Sequence, residues 1–232
     1  MANVRTEAIT FPSNGGTANG YLALPDDGAA HPGVIVIQEW WGINENIQDI
    51  ARRFADAGFV ALAPDLYHGK VTDEPNEAQK AMMALDMHEV AKDLAGALAA
   101  LQARPEVAPK KIGVTGFCMG GMIALKFATQ AGAELGAVVS FYGGGYDPTE
   151  AEVKAMQCPI LAIYGSEDQS TPEPLRDKLR KYLTDNGKIS DMVVYQGAQH
   201  AFFNDTRPEV HDPQASQDAW QRTLGWFTRY LK

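Results

Sequence analysis

Short apolar runs alternate along the chain with longer stretches in which apolar positions recur every three or four residues, the pattern of a parallel sheet flanked by helices. The opening departs from it. Val4–Phe11 and Gly20–Leu24 read as two strands joined by the turn-rich segment Pro12–Thr17, an antiparallel hairpin at a sheet edge. Val34–Gln38, Val60–Ala63, Ile112–Thr115, Ala137–Phe141, Ile160–Tyr164 and Met192–Tyr195 follow. Each is short and apolar, as strands buried on both faces are. Between them the periodicity predicts helices over Ile47–Ala57, Glu77–Ala103, Met119–Gln130, Pro172–Asn186 and Pro213–Leu231. In the second, the methionines Met82, Met83 and Met87 read as core packing, and Leu66–Glu77, rich in Gly, Asp and Pro, reads as a surface loop. Repeats, low-complexity tracts and linkers are missing. The expectation is one α/β domain over residues 1–232, an eight-stranded, mostly parallel sheet with helices on both faces.

Composition narrows the function. At 232 residues, with 45% apolar and 21% charged side chains, the chain can bury a full core without disulfides or metals. A formal charge of −9 has the wrong sign for a surface that neutralises phosphates, which argues against nucleic acid and anionic membranes as partners. The longest apolar stretches, Val34–Ile37 and Leu94–Leu101, fall far short of the ~20 residues of a membrane-spanning helix. Met1 to Thr10 lacks the basic-then-apolar layout of a signal peptide, so Cys118 and Cys158 are expected as reduced thiols in a cytoplasmic protein.

Gly116-Phe117-Cys118-Met119-Gly120 lies between a predicted strand and a predicted helix, the setting in which G-x-S-x-G forms a nucleophile elbow, with cysteine in the place of serine. Flanking glycines remove the Cβ atoms that would collide where strand and helix meet. The commonest fate of a free thiol is burial as an inert side chain, and Cys158 before Pro159 fits that description. At a helix N-terminus, by contrast, N–H groups and the macrodipole favour the thiolate. Such a nucleophile needs a base and an orienting acid, in the chain order nucleophile, acid, histidine. Gly165-Ser166-Glu167-Asp168 after the strand Ile160–Tyr164 supplies Asp168, and Gly197-Ala198-Gln199-His200 after the last strand supplies His200. His31, His68, His88 and His211 fall out of order. The backbone N–H groups of Trp40 and Met119 are the candidate oxyanion donors. Glu39 is either a carboxylate acting on the thiol, as a brake on its ionisation or as a base, or a solvent-facing loop residue. Gly143-Gly144-Gly145-Tyr146 lacks the ending of a phosphate loop, and no His/Cys/Asp/Glu cluster has metal-ligand spacing.

Taken together, Gln38-Glu39-Trp40-Trp41-Gly42, Ala63-Pro64-Asp65-Leu66-Tyr67, Gly113 to Gly121, Gly165-Ser166-Glu167-Asp168 and His200-Ala201-Phe202-Phe203 resemble the dienelactone hydrolase family of the α/β-hydrolase fold, over essentially the whole chain. That resemblance implies a cofactor-free carboxylic ester hydrolase. Cys118 would be the nucleophile, His200 the base, Asp168 its orienting acid and Glu39 the carboxylate that contacts the resting thiol. The implied substrate is a small-molecule ester or lactone, cleaved through an acyl-cysteine. A hydrolase of small neutral esters or thioesters and a ligand-binding relative without turnover are the alternatives. Dienelactone-cleaving members carry an arginine four residues after the triad histidine, where this chain has Asn204. A second family arginine, early in the long helix, has no counterpart between Arg53 and Arg104. Lys80 or Arg207 could substitute for these as point charges.

Overall fold

The computed structural model describes residues 3–231, which pack as two compact units, one ending at Gly113 and the other running Val114–Tyr230. Among the described residues there are eight strands. The first unit holds β1 (Val4–Ser13), β2 (Gly16–Pro25), β3 (Gly33–Ile37), α1 (Glu45–Asp56), β4 (Val60–Pro64), α2 (Pro75–Met83) and α3 (Met87–Ala103). Its strand order is β1-β2-β4-β3, with β1/β2 and β2/β4 antiparallel and β3/β4 parallel. Helices α1 and α3 both pack on β3 and β4. β3 and β4 are buried along their whole length, as expected of strands covered on both faces.

β5 (Ile112–Phe117) leads into the second unit, which continues with α4 (Met119–Ala128), β6 (Leu135–Phe141), α5 (Glu150–Ala155), β7 (Ile160–Gly165), α6 (Glu173–Asp185), β8 (Ser190–Tyr195) and α7 (Pro213–Tyr230). Its strand order is β5-β6-β7-β8, and β6/β7 and β7/β8 are parallel. Helices α4 and α7 pack on β6.

Four features differ from the sequence expectation. The hairpin strands run right up to Asn14-Gly15, both at positive φ, so the turn is the tight two-residue kind that an Asn-Gly pair favours rather than the whole of Pro12–Thr17. The long second helix is two helices. Asp86 caps the second, accepting the His88 N–H at 2.7 Å, and the chain between them is not helical. That break frees the methionines from the core: Met83 is 75% exposed, and Met82 and Met87 are half-buried. β8 is exposed at Ser190 and Asp191 and half-buried from Met192 to Tyr195, because it lies at the end of the strand order. A short helix, α5, went unread although Thr149-x-x-Glu152 carries both halves of a capping box: Thr149 Oγ1 accepts from the Glu152 N–H at 3.2 Å and Glu152 Oε2 accepts from the Thr149 N–H at 2.7 Å.

Candidate active site

Cys118 directly follows β5 and N-caps α4 with φ 57° and ψ −119°, a left-handed conformation that a side-chain-bearing residue adopts only under strain. Surrounding backbone holds it there. The Cys118 N–H donates to the Phe141 carbonyl at 3.1 Å, and the Cys118 carbonyl accepts from the N–H groups of Gly121 and Met122 at 3.0 and 3.2 Å. A Cβ on Gly116 would lie 2.1 Å from the Gly120 carbonyl oxygen, so only glycine allows this turn to close. Beneath it, Phe117 stacks on Phe141 and Phe203 at centroid distances of 4.6 and 5.5 Å. Met119 is the first residue of α4, so its N–H faces out of the helix N-terminus beside the thiol.

Asp168 and His200 follow the adjacent parallel strands β7 and β8. Their loops are tied together. The Glu167 N–H donates to the Ala198 carbonyl at 3.0 Å, and the Gly197 N–H donates to Ser166 Oγ at 2.9 Å. The His200 ring is fixed from two sides: Nδ1 lies 2.8 Å from Asp168 Oδ2, and the Tyr142 ring meets it edge-on at 5.1 Å. Asp168 is only 2% exposed. Burial opposes its charge, yet hydrogen bonds from His200 and from the Ser170 side chain and backbone outweigh that and hold its carboxyl below the ordinary value. Burial likewise opposes charge on His200. Hydrogen bonds with Asp168 and with the Cys118 side chain, together with electrostatic attraction to both, overcome it and raise the imidazole pKa to about 10. Cys118, His200 and Asp168 therefore form one connected array within a single unit.

Of the other expected residues, Glu39 and Trp40 belong to the first unit, in the loop after β3. Glu39 is 3% exposed, which overturns the solvent-facing alternative, since a buried carboxylate is stable only when it is hydrogen-bonded or paired. The Trp40 and Trp41 rings pack edge to face at 4.9 Å. This loop is anchored to the next: the Thr72 N–H donates to the Trp41 carbonyl at 3.1 Å, and the Leu66 N–H donates to Gln38 Oε1 at 3.2 Å. Cys158 is buried, and burial pushes its thiol up to about 12, as an inert thiol requires. Among the described residues, no group of three or more His, Cys, Asp or Glu is arranged to hold a metal, and no helix is long and apolar enough to cross a membrane.

Two residues at the site escaped the sequence reading. Tyr142 follows β6 and gives no local signal of its place beside His200. Ser170 has its Oγ 2.9 Å from His200 Nδ1 and 2.7 Å from Asp168 Oδ1. It stands two residues after the acid, a spacing at which serine commonly serves a loop.

Comparison with known proteins agrees with this geometry. The chain matches the Dienelactone hydrolase family over residues 18–231. It is 39% identical to Protein usf of Aquifex pyrophilus, over 97% of this chain and 99% of that protein. It is 34% identical to a provisionally named carboxymethylenebutenolidase of Aquifex aeolicus, again over 97% and 99%. The crystal structure of a provisionally assigned dienelactone hydrolase from Klebsiella pneumoniae superposes with a TM-score of 0.89 at 30% identity, covering 98% of this chain and 100% of that one. With an eight-stranded α/β sheet, a cysteine at a strained strand-to-helix turn and a match that runs nearly end to end, the chain belongs to the dienelactone hydrolase family and is a carboxylic ester hydrolase of the α/β-hydrolase fold.

Proposed function

We propose that the protein hydrolyses small esters or lactones through an acyl intermediate on Cys118. The observation that carries this reading is the array Cys118–His200–Asp168, with the thiol at the N-terminus of a ten-residue helix and in hydrogen-bond contact with an imidazole whose pKa is raised. The family match across residues 18–231 supports one hydrolase domain, and two free thiols suit a cytoplasmic site of action.

The chemistry runs in two halves. With the proton on His200, Cys118 attacks the carbonyl carbon as a thiolate, and the carbonyl oxygen becomes an oxyanion facing the Met119 N–H. As the intermediate collapses the C–O bond breaks, and the His200 proton passes to the leaving alkoxide. Acylation then changes the base. The negative charge on sulfur is one of the causes that raise the His200 pKa, and the thioester carries none. His200 returns toward the ordinary histidine range, where it takes a proton from water as the water attacks the thioester. Thiolate leaves, the acid departs, and the proton gained from water restores the imidazolium.

Substrate charge is addressed by Asn204, the residue four positions beyond His200. Its side chain is buried, and its Oδ1 accepts from the Thr206 N–H at 3.1 Å and the Thr206 hydroxyl at 2.6 Å, so it caps a turn. Lys80 and Arg207 each pair with a glutamate, at 2.7 and 3.0 Å. Without a bidentate guanidinium at Asn204, neutral esters should compete well. A screen of p-nitrophenyl esters and unsaturated lactones tests both points. Hydrolysis that disappears in step with alkylation of Cys118, and a preference for anionic over neutral lactone below about a hundredfold, or ~2.7 kcal/mol, is the expected outcome. Hydrolysis surviving full alkylation would sink the proposal.

We further propose that Glu39 governs the reactivity of the Cys118 thiol, opposing its ionisation at rest and assisting turnover as a base, a role supported by its burial. Glu39→Gln keeps the shape and removes the charge. Labelling of Cys118 by iodoacetamide at neutral pH should accelerate while kcat falls. Slower labelling with unchanged kcat would make Glu39 a bystander.

A further inference from the structure

The Asp168 carboxylate receives more donors than a histidine alone supplies, and they come from one residue. Ser170 donates its backbone N–H to Asp168 Oδ1 at 2.8 Å and its hydroxyl to the same oxygen at 2.7 Å, while the same hydroxyl oxygen lies 2.9 Å from His200 Nδ1. The other carboxylate oxygen, Oδ2, lies 2.8 Å from Nδ1. Proton bookkeeping allows one arrangement. A hydroxyl has one hydrogen and two lone pairs, and an ionised carboxylate only accepts. If the hydroxyl hydrogen pointed at Nδ1, that nitrogen would need a bare lone pair, which would face Asp168 Oδ2 across 2.8 Å with no proton between them. The consistent assignment puts the hydroxyl hydrogen on Asp168 Oδ1 and a hydrogen on Nδ1, shared between Asp168 Oδ2 and a lone pair of Ser170 Oγ.

We infer that Ser170 is a positioning residue which, through Asp168 and directly at Nδ1, locks the His200 ring with its proton on Nδ1 and its Nε2 turned to the nucleophile, and strengthens its hold on a second proton. This rests on the hydrolytic role proposed for Cys118 and His200, and extends the array from three residues to four. The polarity is cooperative: each hydrogen bond into the carboxylate stabilises its charge, and the hydroxyl oxygen polarised by Asp168 is a better acceptor for Nδ1–H.

The glycine run after β6 has a place in this arrangement. The Gly145 N–H donates to the Ser170 carbonyl at 3.0 Å, tying the two loops together. A Cβ built on Gly144 would lie 2.9 Å from Ser170 Oγ, 3.3 Å from its Cβ and 3.8 Å from His200 Cε1. Gly144 does not have a positive φ, so its backbone would accept a side chain and what excludes one is Ser170 itself. The segment that superficially resembles a phosphate loop thus shapes the seat of the Ser170 hydroxyl.

Two variants test this by different routes. Ser170→Ala deletes the hydroxyl and keeps the backbone N–H bond to Asp168. Gly144→Ala keeps the hydroxyl and displaces it. In each, the His200 imidazole is titrated by NMR, its resonance identified by its loss in His200→Gln, and the pH profile of kcat/KM is recorded beside it. Loss of one hydrogen bond to a charged group should lower the His200 midpoint by about one pH unit in both variants, shift the alkaline limb of kcat/KM by the same amount and leave KM unchanged. A purely structural serine would change thermal stability and leave the midpoint in place. His200 titrating in Ser170→Ala as it does in the unaltered protein would overturn the inference. The NMR midpoint is read whether or not esters turn over, so a failure of the hydrolytic proposal, seen as activity surviving the loss of Cys118, is separate from a failure here.

Discussion

Replacing Cys118 by alanine should lower kcat/KM by at least about four orders of magnitude, equivalent to ~5.5 kcal/mol of transition-state stabilisation, and leave the fold intact. The size follows from the covalent route: without sulfur there is no acyl intermediate, and what remains is binding plus oxyanion stabilisation of direct attack by water. The fold survives because the thiol makes no helix-capping hydrogen bond and the strained turn is held by backbone contacts to Phe141, Gly121 and Met122. Alanine inherits the same positive φ as cysteine, so strain is neither added nor relieved. The check is steady-state kinetics beside a thermal melt. Activity within tenfold of the unaltered protein, with contamination excluded, would remove Cys118 from the mechanism.

Asp168→Asn should be nearly as damaging, costing about three to four orders of magnitude in kcat. The buried carboxylate accepts from three donors, His200 Nδ1–H, the Ser170 N–H and the Ser170 hydroxyl. An amide of the same shape has one accepting oxygen, and its NH2 must face either the imidazole or the two serine donors. Facing the imidazole, it drives the ring to the other tautomer and points an N–H at the thiol. Facing the serine, it leaves buried donors opposed, at a cost of about 1–3 kcal/mol in stability. In both cases one of the two groups that raise the His200 pKa is gone, and the midpoint should fall from about 10 toward the ordinary histidine value. The sign for stability follows. A group whose pKa is raised on folding contributes its stabilisation below the unfolded value and loses it as pH rises through the folded one. The unaltered protein should therefore lose stability between about pH 6.5 and 10 more steeply than Asp168→Asn does. Melting temperatures across that range check the comparison, and parallel curves would contradict it.

Much of this was legible in sequence because the chemistry and the fold use the same punctuation. Gly116-Phe117-Cys118-Met119-Gly120 marks both a strand-to-helix turn and a nucleophile, and Asp168 and His200 are found by counting strand ends. What escaped depends on three-dimensional closure. Apolar spacing continues across 84–86, so two helices read as one, and the local sign of a new helix is its N-cap at Asp86. Met83 sits at a core-like spacing and yet is exposed. No pattern distinguishes Ser166 from Ser170 in the loop after β7. One accepts the Gly197 N–H and the other meets the imidazole, and which does which is decided by how that loop folds onto Ala198. Burial of Glu39 is likewise invisible in a polar loop that follows an apolar strand.

The central claim is a covalent bond to one sulfur. Rapid acid quench of the protein during turnover of a slowly deacylating p-nitrophenyl ester, followed by intact-mass and peptide mass spectrometry, looks for that bond directly. The expected result is a single acyl adduct on the peptide bearing Cys118, released by hydroxylamine and missing in Cys118→Ala. A burst of p-nitrophenol with the protein mass unchanged, or an adduct located on any other residue, would contradict the account.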